Sequence, residues 1–127
     1  ELPDNVEGVK AGIIQVYMNY VKYCRELGVE FMSEYYDTKN QALNAAIRME
    51  RPYPIITVQK YVEKAEQAGV VSLNVSIEEF TTDIRMIVIG NVFEWCVKHG
   101  EADFEGNMSR SLGKYLDATL CGGKDQK

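Results

Sequence analysis

The chain has 127 residues, of which 46% are hydrophobic and 26% charged, and its formal net charge is −5 at pH 7. This length and composition predict one ordered globular domain spanning residues 1–127, with a core of its own, and exclude an intrinsically disordered chain. The acidic balance argues against a nucleic-acid-binding surface, which needs a basic patch, and no apolar run reaches the roughly 20 residues of a membrane-spanning helix.

The first predicted helix runs from about Val6 to Leu27, because apolar residues recur along it on one stripe, and Gly28 is its expected C-terminal cap. A second helix is predicted over about Val29 to Met49, with the polar stretch Asp37–Asn40 as a candidate break. The third follows "RPYP" and runs from Pro54 to Ala68, since proline suits the first turn of a helix.

Between the third and fourth helices, "GVVSLNV" is predicted as an irregular connector, because so short a strand needs a partner. The fourth helix begins at Ser76, which has capping-box spacing to Glu79, and reaches about His99. Asp103 is the expected N-cap of a fifth helix that reaches about Leu120, and "GGKDQK" is expected to be a frayed tail. These segments predict an all-α fold, an antiparallel bundle of about five helices.

On a helical wheel, the fourth helix has two apolar faces. Ile84, Val88 and Trp95 belong to a broad face that suits the core, whereas Met86, Phe93 and Val97 lie roughly opposite, with Gly90 beside them. A surface helix needs only one apolar face, so the second is expected to contact a second copy of the chain. The alternative is that this helix is the central one of a monomeric bundle.

The fifth helix supports a homodimer, because small residues that let another backbone approach lie opposite its apolar stripe. Two helices per chain would then form a four-helix interface about a two-fold axis, burying on the order of 1,500 Å² in total. The predicted interface residues are Met86, Gly90, Phe93, Val97, Gly106, Ser109 and Gly113.

The segment "YVEKAEQAGVV...VSIEEFTTDIRMIVIGNVFEWCVKHGEADFE" resembles the C-terminal domain of the tetracycline-repressor (TetR) family of transcriptional regulators. The resemblance covers Tyr61 to Tyr115 and extends to the first two helices only in their order and length. The residues that match the family pattern are Gly69, Glu78, Glu79, Gly90, Trp95, Gly100, Asp103 and Phe104.

The resemblance implies a two-domain regulator whose N-terminal helix-turn-helix domain binds operator DNA, while its C-terminal domain dimerises and binds a small effector. Nothing in this chain could read a major groove, so DNA binding is expected only through an N-terminal domain outside it. Because the chain begins at Glu1 without an initiator Met, it is expected to be a piece of a longer protein.

Seven of the eight tyrosines lie in the first half of the chain. The residue pattern alone favours ordinary rim residues with solvated hydroxyls, whereas the resemblance implies a small-molecule pocket. Because no lysine or arginine lies at the centre of the apolar stripe of the first or third helix, the ligand is expected to be neutral or weakly acidic. That pocket is expected among the first four helices, with a volume of roughly 300 Å³ or more. Its predicted lining is Tyr17, Tyr20, Cys24, Phe31, Tyr35, Val58, Tyr61, Val62, Ile84, Val88, Asn91 and Trp95.

No metal or other cofactor is expected, since Cys96 and His99 have no second cluster that would complete a zinc site. Motifs for nucleophilic catalysis are absent, which argues against an enzyme. A helical-bundle enzyme or a protein–protein adaptor remains the alternative; an adaptor predicts an exposed apolar groove and no cavity.

The cellular compartment is predicted from two features. No basic-then-apolar leader opens the chain, so no signal peptide is expected. Cys24, Cys96 and Cys121 are widely spaced and odd in number, which indicates reduced thiols. The predicted location is therefore the cytoplasm.

Overall fold

A computed structural model describes residues 2–35 and 53–123 of the chain. Within these ranges the fold is all-α, with five helices and one small sheet, which confirms the predicted helical bundle. The elements in chain order are α1 (Val6–Leu27), α2 (Val29–Tyr35), α3 (Tyr53–Gln67), β1 (Val71–Leu73), α4 (Ile77–Val97), α5 (Phe104–Thr119) and β2 (Leu120–Gly122). The remainder of the predicted second helix, with its candidate break, lies outside the described residues.

Local capping signals explain where the long helices begin and end. The Ser76 hydroxyl accepts a hydrogen bond from the backbone N–H of Glu79 at 3.0 Å, and the Asp103 carboxylate accepts one from Gly106 at 3.1 Å. Each bond satisfies an N–H that the first turn of a helix leaves without a partner. Gly28 ends α1 with φ of +98° and donates its N–H to the Cys24 carbonyl at 2.9 Å. The predicted caps at Gly28, Ser76 and Asp103 are therefore confirmed.

The connector after α3 and the tail after α5 differ from the prediction. They pair as antiparallel strands with the register Val71↔Gly122, Ser72↔Cys121 and Leu73↔Leu120. The Asn74 side chain continues the contact by donating to the Ala118 carbonyl at 2.8 Å. The prediction of an irregular connector and a tail frayed from Gly122 was wrong at these residues, because each strand obtains its backbone hydrogen bonds from a partner distant in sequence.

Two of the described helices, α1 and α4, each contact the same three neighbours, α2, α3 and α5. The core side chains are apolar residues at helical spacing, which removes a continuous stripe of each long helix from water. The largest fully buried side chains include Tyr17, Phe80, Phe104, Ile13, Ile84 and Met108. None of the described helices is long and apolar enough to cross a membrane.

Candidate functional site

One side of α4 remains apolar and uncovered in the single chain. Met86 is 62% exposed, Phe93 56% and Val97 53%, and these side chains share a face with Gly90. We call Met86, Gly90, Phe93 and Val97 the α4 outer face. The opposite face carries the buried residues Ile84, Val88 and Trp95 of the core. The two apolar faces predicted for this helix are thus both present, one buried and one exposed.

The small residues predicted for the interface have different surroundings. A Cβ added at Gly90 or Gly113 would meet no atom within 4 Å, so internal packing does not require glycine at either position. At Gly106, a Cβ would overlap with the Asp103 side chain, which caps the same helix. The N-cap of α5 is therefore sufficient to explain why residue 106 is a glycine. Ser109 is half-buried on the same helix.

A small depression lies where α1, α3 and α4 meet. Its lining residues are Tyr17, Tyr20, Pro54, Ile55, Arg85, Val88 and Ile89. The open volume is about 20 Å³, which is room for about one water molecule. The space here is thus far smaller than the predicted cavity, because the tyrosine rings and aliphatic side chains of the three helices fill it.

Only part of the predicted lining reaches this depression. Tyr17, Tyr20 and Val88 line it, whereas Cys24, Val58, Val62 and Ile84 are fully buried in the general core. Phe31 is 53% exposed. Tyr35 is the last residue of α2, and the role predicted for its side chain lies outside the described structure.

Burial has the same effect on two of the predicted lining residues, Tyr17 and Cys24. It raises the pKa of the Tyr17 phenol. Burial also raises the pKa of the Cys24 thiol to about 11, although a side-chain hydrogen bond with Tyr20 opposes the shift. In both cases the apolar surroundings disfavour the charged form. At neutral pH Tyr17 therefore keeps its hydroxyl proton and Cys24 its thiol proton.

Asn91 points toward α5 and not into the space among the first four helices. Its side-chain amide donates to the Ser111 hydroxyl at 2.9 Å and to the Ile87 carbonyl at 2.9 Å. The expectation that Asn91 reaches into the ligand space is corrected by these bonds. The position of Asn91 on the helical wheel indicated that it lies at the edge of the buried face, but not which neighbouring helix it contacts.

Trp95 does not line the depression and packs instead against residues of α1 and α5. Its ring stacks on Phe104 with centroids 4.6 Å apart, and the Arg25 guanidinium lies 5.8 Å from both ring centroids. Arg25 also donates two hydrogen bonds to Glu105, at 2.6 and 2.7 Å. The predicted lining residue Trp95 is thus part of a contact among the end of α1, the end of α4 and the start of α5.

The Arg25–Glu105 pair was not predicted from the sequence. No short-range spacing joins residues so far apart in the chain, so no sequence signal identifies the pair. The hydrogen bonds from Arg25 lower the pKa of the Glu105 carboxyl. Beneath the pair, the buried Trp95 indole N–H has no hydrogen-bond partner within the described part of the chain.

Tyr61 lies across α1 at Gly12. A Cβ at Gly12 would stand 2.6 Å from the Tyr61 hydroxyl oxygen, which is too close for any ordinary contact. Partial burial raises the pKa of the Tyr61 phenol. The absence of a side chain at Gly12 therefore lets the end of the Tyr61 side chain pack closely against α1.

The described geometry thus separates two features: the α4 outer face and the depression beside Arg85. Comparisons with known proteins assign a function to neither feature. No protein family matches the chain, and neither a curated protein nor a solved structure is found to be similar to it. The resemblance to TetR regulators therefore stays a prediction.

Proposed function

We propose that this chain is the regulatory domain of a TetR-type transcriptional regulator. It forms a homodimer through α4 and α5, binds a small apolar or amphipathic effector, and controls DNA binding by an N-terminal domain outside this chain. The support is the order and capping of the helices, the sequence pattern around α4, and the exposed apolar face of that helix.

The α4 outer face is the observation that carries the proposal. Three large apolar side chains on it are more than half exposed, and leaving such surface in water forgoes roughly 25 cal/mol per Å². At the centre of the face, Gly90 has open space, although glycine inside a helix costs about 1 kcal/mol relative to alanine. A second backbone that packs against Gly90 accounts for both features.

A second copy of the chain is the occupant that best fits this face. A two-fold axis beside α4 would bring the outer face of one copy against that of the other, so that each apolar patch covers its equivalent. On α5, Gly113 is also open to close approach. Together α4 and α5 supply the two helices per chain that a four-helix interface needs.

Effector control would operate through the packing of the bundle. α4 contributes Val88 to the depression and Phe93 to the outer face. An effector that binds one arrangement of α1, α3 and α4 more tightly shifts the population toward it. Because α4 carries both surfaces, such a shift would also change the relative orientation of two paired chains.

The cytoplasm is the proposed location. Cys24, Cys96 and Cys121 are all free thiols, and an unpaired set of cysteines is typical of a reducing compartment.

A protein–protein adaptor is the second candidate. The small volume of the depression, about 20 Å³, together with the exposed α4 outer face, favours it. In that case a different protein covers Met86, Phe93 and Val97, and the isolated chain is a monomer.

Sedimentation velocity of the 127-residue chain at micromolar concentration distinguishes the two candidates. We expect a dimer, and we expect Phe93→Ser to shift the population to monomer because it removes an aromatic ring from the centre of the interface. Tyr23→Ser is the matched control, since Tyr23 is an aromatic residue of equal exposure, 56%, on α1. This variant should remain dimeric.

A monomeric unmodified chain, or equal effects of the two substitutions, would contradict dimerisation through α4. The DNA-linked part of the proposal has its own test in the coding sequence upstream of Glu1. We expect a helix-turn-helix domain there, and an upstream sequence without one would exclude a TetR-type regulator.

A further inference from the structure

Arg85 is an exposed residue of α4 that lines the depression. Residues three and four positions away on either side are Thr81, Thr82, Val88 and Ile89, so no carboxylate lies at helical spacing to it. No ion pair of Arg85 is found in the described ranges of the chain, although Arg25 pairs with Glu105 and Lys98 with Glu94. The Arg85 guanidinium therefore has no carboxylate partner among the described residues.

Tyr17 supplies a second polar group to the same depression. Its side chain is only 2% exposed, and within the described residues its hydroxyl makes no hydrogen bond. Among the described residues, the fully buried side-chain polar atom without a partner is the Trp95 indole nitrogen, so the Tyr17 hydroxyl oxygen retains some accessible surface at the depression. Because burial raises its pKa, the phenol stays protonated at neutral pH and is available as a donor.

The remaining walls are apolar. Pro54 and Ile55 of α3 and Val88 and Ile89 of α4 line the rest of the depression. A ligand that satisfies the whole site therefore needs an anionic or strongly accepting end group and a slender hydrocarbon portion. The guanidinium fork matches a carboxylate through two parallel hydrogen bonds. A phosphate group carries more negative charge than one guanidinium balances, and Arg85 is the single cationic residue among those that line the depression. A carboxylate is therefore the better match.

We propose that this depression binds the carboxylate end of a small amphipathic acid, with Arg85 pairing to the carboxylate and the Tyr17 hydroxyl donating to it. The proposal rests on the effector-binding function proposed above and names the chemical class of the effector. It narrows the expected neutral or weakly acidic ligand to a weak acid that binds in its ionised form. The hydrocarbon portion lies between Ile55 and Val88.

Binding requires a local rearrangement. The open volume of about 20 Å³ is too small for an alkyl chain, since one water already occupies a comparable space. The half-buried Tyr20 side chain lines the depression from α1. The alkyl chain therefore enters by displacing this side chain, which couples ligand binding to the packing of α1, α3 and α4 around the depression.

The test compares hexanoate with hexanamide, which have the same length but differ in charge, by isothermal titration of the dimeric chain at pH 7. We expect hexanoate to bind at least roughly tenfold more tightly than hexanamide, since hydrogen bonds to charged groups are the stronger ones. Arg85→Met should remove this preference, and Tyr17→Phe should weaken hexanoate binding without altering the fold. Lys60→Met is the control, because it removes one positive charge from an exposed position of α3.

Two results would overturn the inference. Equal binding of hexanoate and hexanamide, unchanged in Arg85→Met, would show an effector site that does not recognise the carboxylate, and would leave effector binding itself intact. Absence of binding by either compound would exclude this site for small acids. Sedimentation of the same samples reports dimerisation separately, so failure of the proposed regulatory function is recognised independently.

Discussion

Gly12 and Gly90 both lie inside long helices, yet the structure requires glycine only at the first. The Tyr61 hydroxyl of α3 occupies the space that a Gly12 side chain would fill, at 2.6 Å from a Cβ. Gly90 faces open space on α4. The same residue type therefore reports an internal helix contact at one position and an uncovered surface at the other.

Substituting alanine at these two positions should have opposite effects on the stability of the monomer. Gly12→Ala should lower the free energy of unfolding by about 1–3 kcal/mol through overpacking against Tyr61. Gly90→Ala should raise it by up to about 1 kcal/mol, because alanine is the better helix former. Urea denaturation measures both changes in the free energy of unfolding, in chains that also carry Phe93→Ser and are therefore expected to be monomeric.

Tyr61→Phe provides the control for this comparison, since it removes the oxygen nearest to Gly12 while keeping the ring. It should recover part of the stability lost in Gly12→Ala. Equal destabilisation by both alanine substitutions would contradict the assignment of Gly12 to the α1–α3 contact.

At the scale of secondary structure, local signals were sufficient for the helices and insufficient for the sheet. Ser76, Asp103 and Gly28 act on backbone groups a few residues away, so their caps were predictable from sequence. Val71 and Gly122 pair although α4 and α5 lie between them in the sequence. Neither three-residue strand shows a pattern of its own, and only the folded bundle brings them together.

The tail after α5 should therefore contribute measurable stability. Leu120 is 6% exposed, and the Gly123 N–H donates to the Val70 carbonyl at 3.1 Å. Truncation after Thr119 removes β2 and should cost about 2 kcal/mol from the burial of Leu120 alone. Truncation after Gly123 is the control and should leave the thermal midpoint unchanged. If the two truncated chains melt together, β2 makes no significant contribution.

For the whole molecule, sequence periodicity identified which side chains are buried but not which neighbours they meet. Trp95 was correctly placed on the buried face of α4, yet it stacks on Phe104. Asn91 lies at the edge of that face and bonds to Ser111. Arg85 received no role from its sequence position, and only the meeting of three helices places it beside Tyr17. The candidate site thus depended on interhelical geometry that a single helical wheel does not contain.

The dimer proposed for the whole molecule has a thermodynamic consequence that does not depend on hydrodynamic size. If two folded chains associate through the α4 outer face and separate on unfolding, mass action makes the thermal midpoint depend on protein concentration. Each tenfold increase in concentration adds about 1.4 kcal/mol per dimer to the free energy of unfolding.

Differential scanning calorimetry should therefore show a midpoint that rises with concentration for the unmodified chain and for Tyr23→Ser. Phe93→Ser should show a midpoint that is lower and independent of concentration, because its unfolding is unimolecular. A concentration-independent midpoint for the unmodified chain, across a range in which sedimentation detects dissociation, would show that association contributes nothing to the stability of the fold.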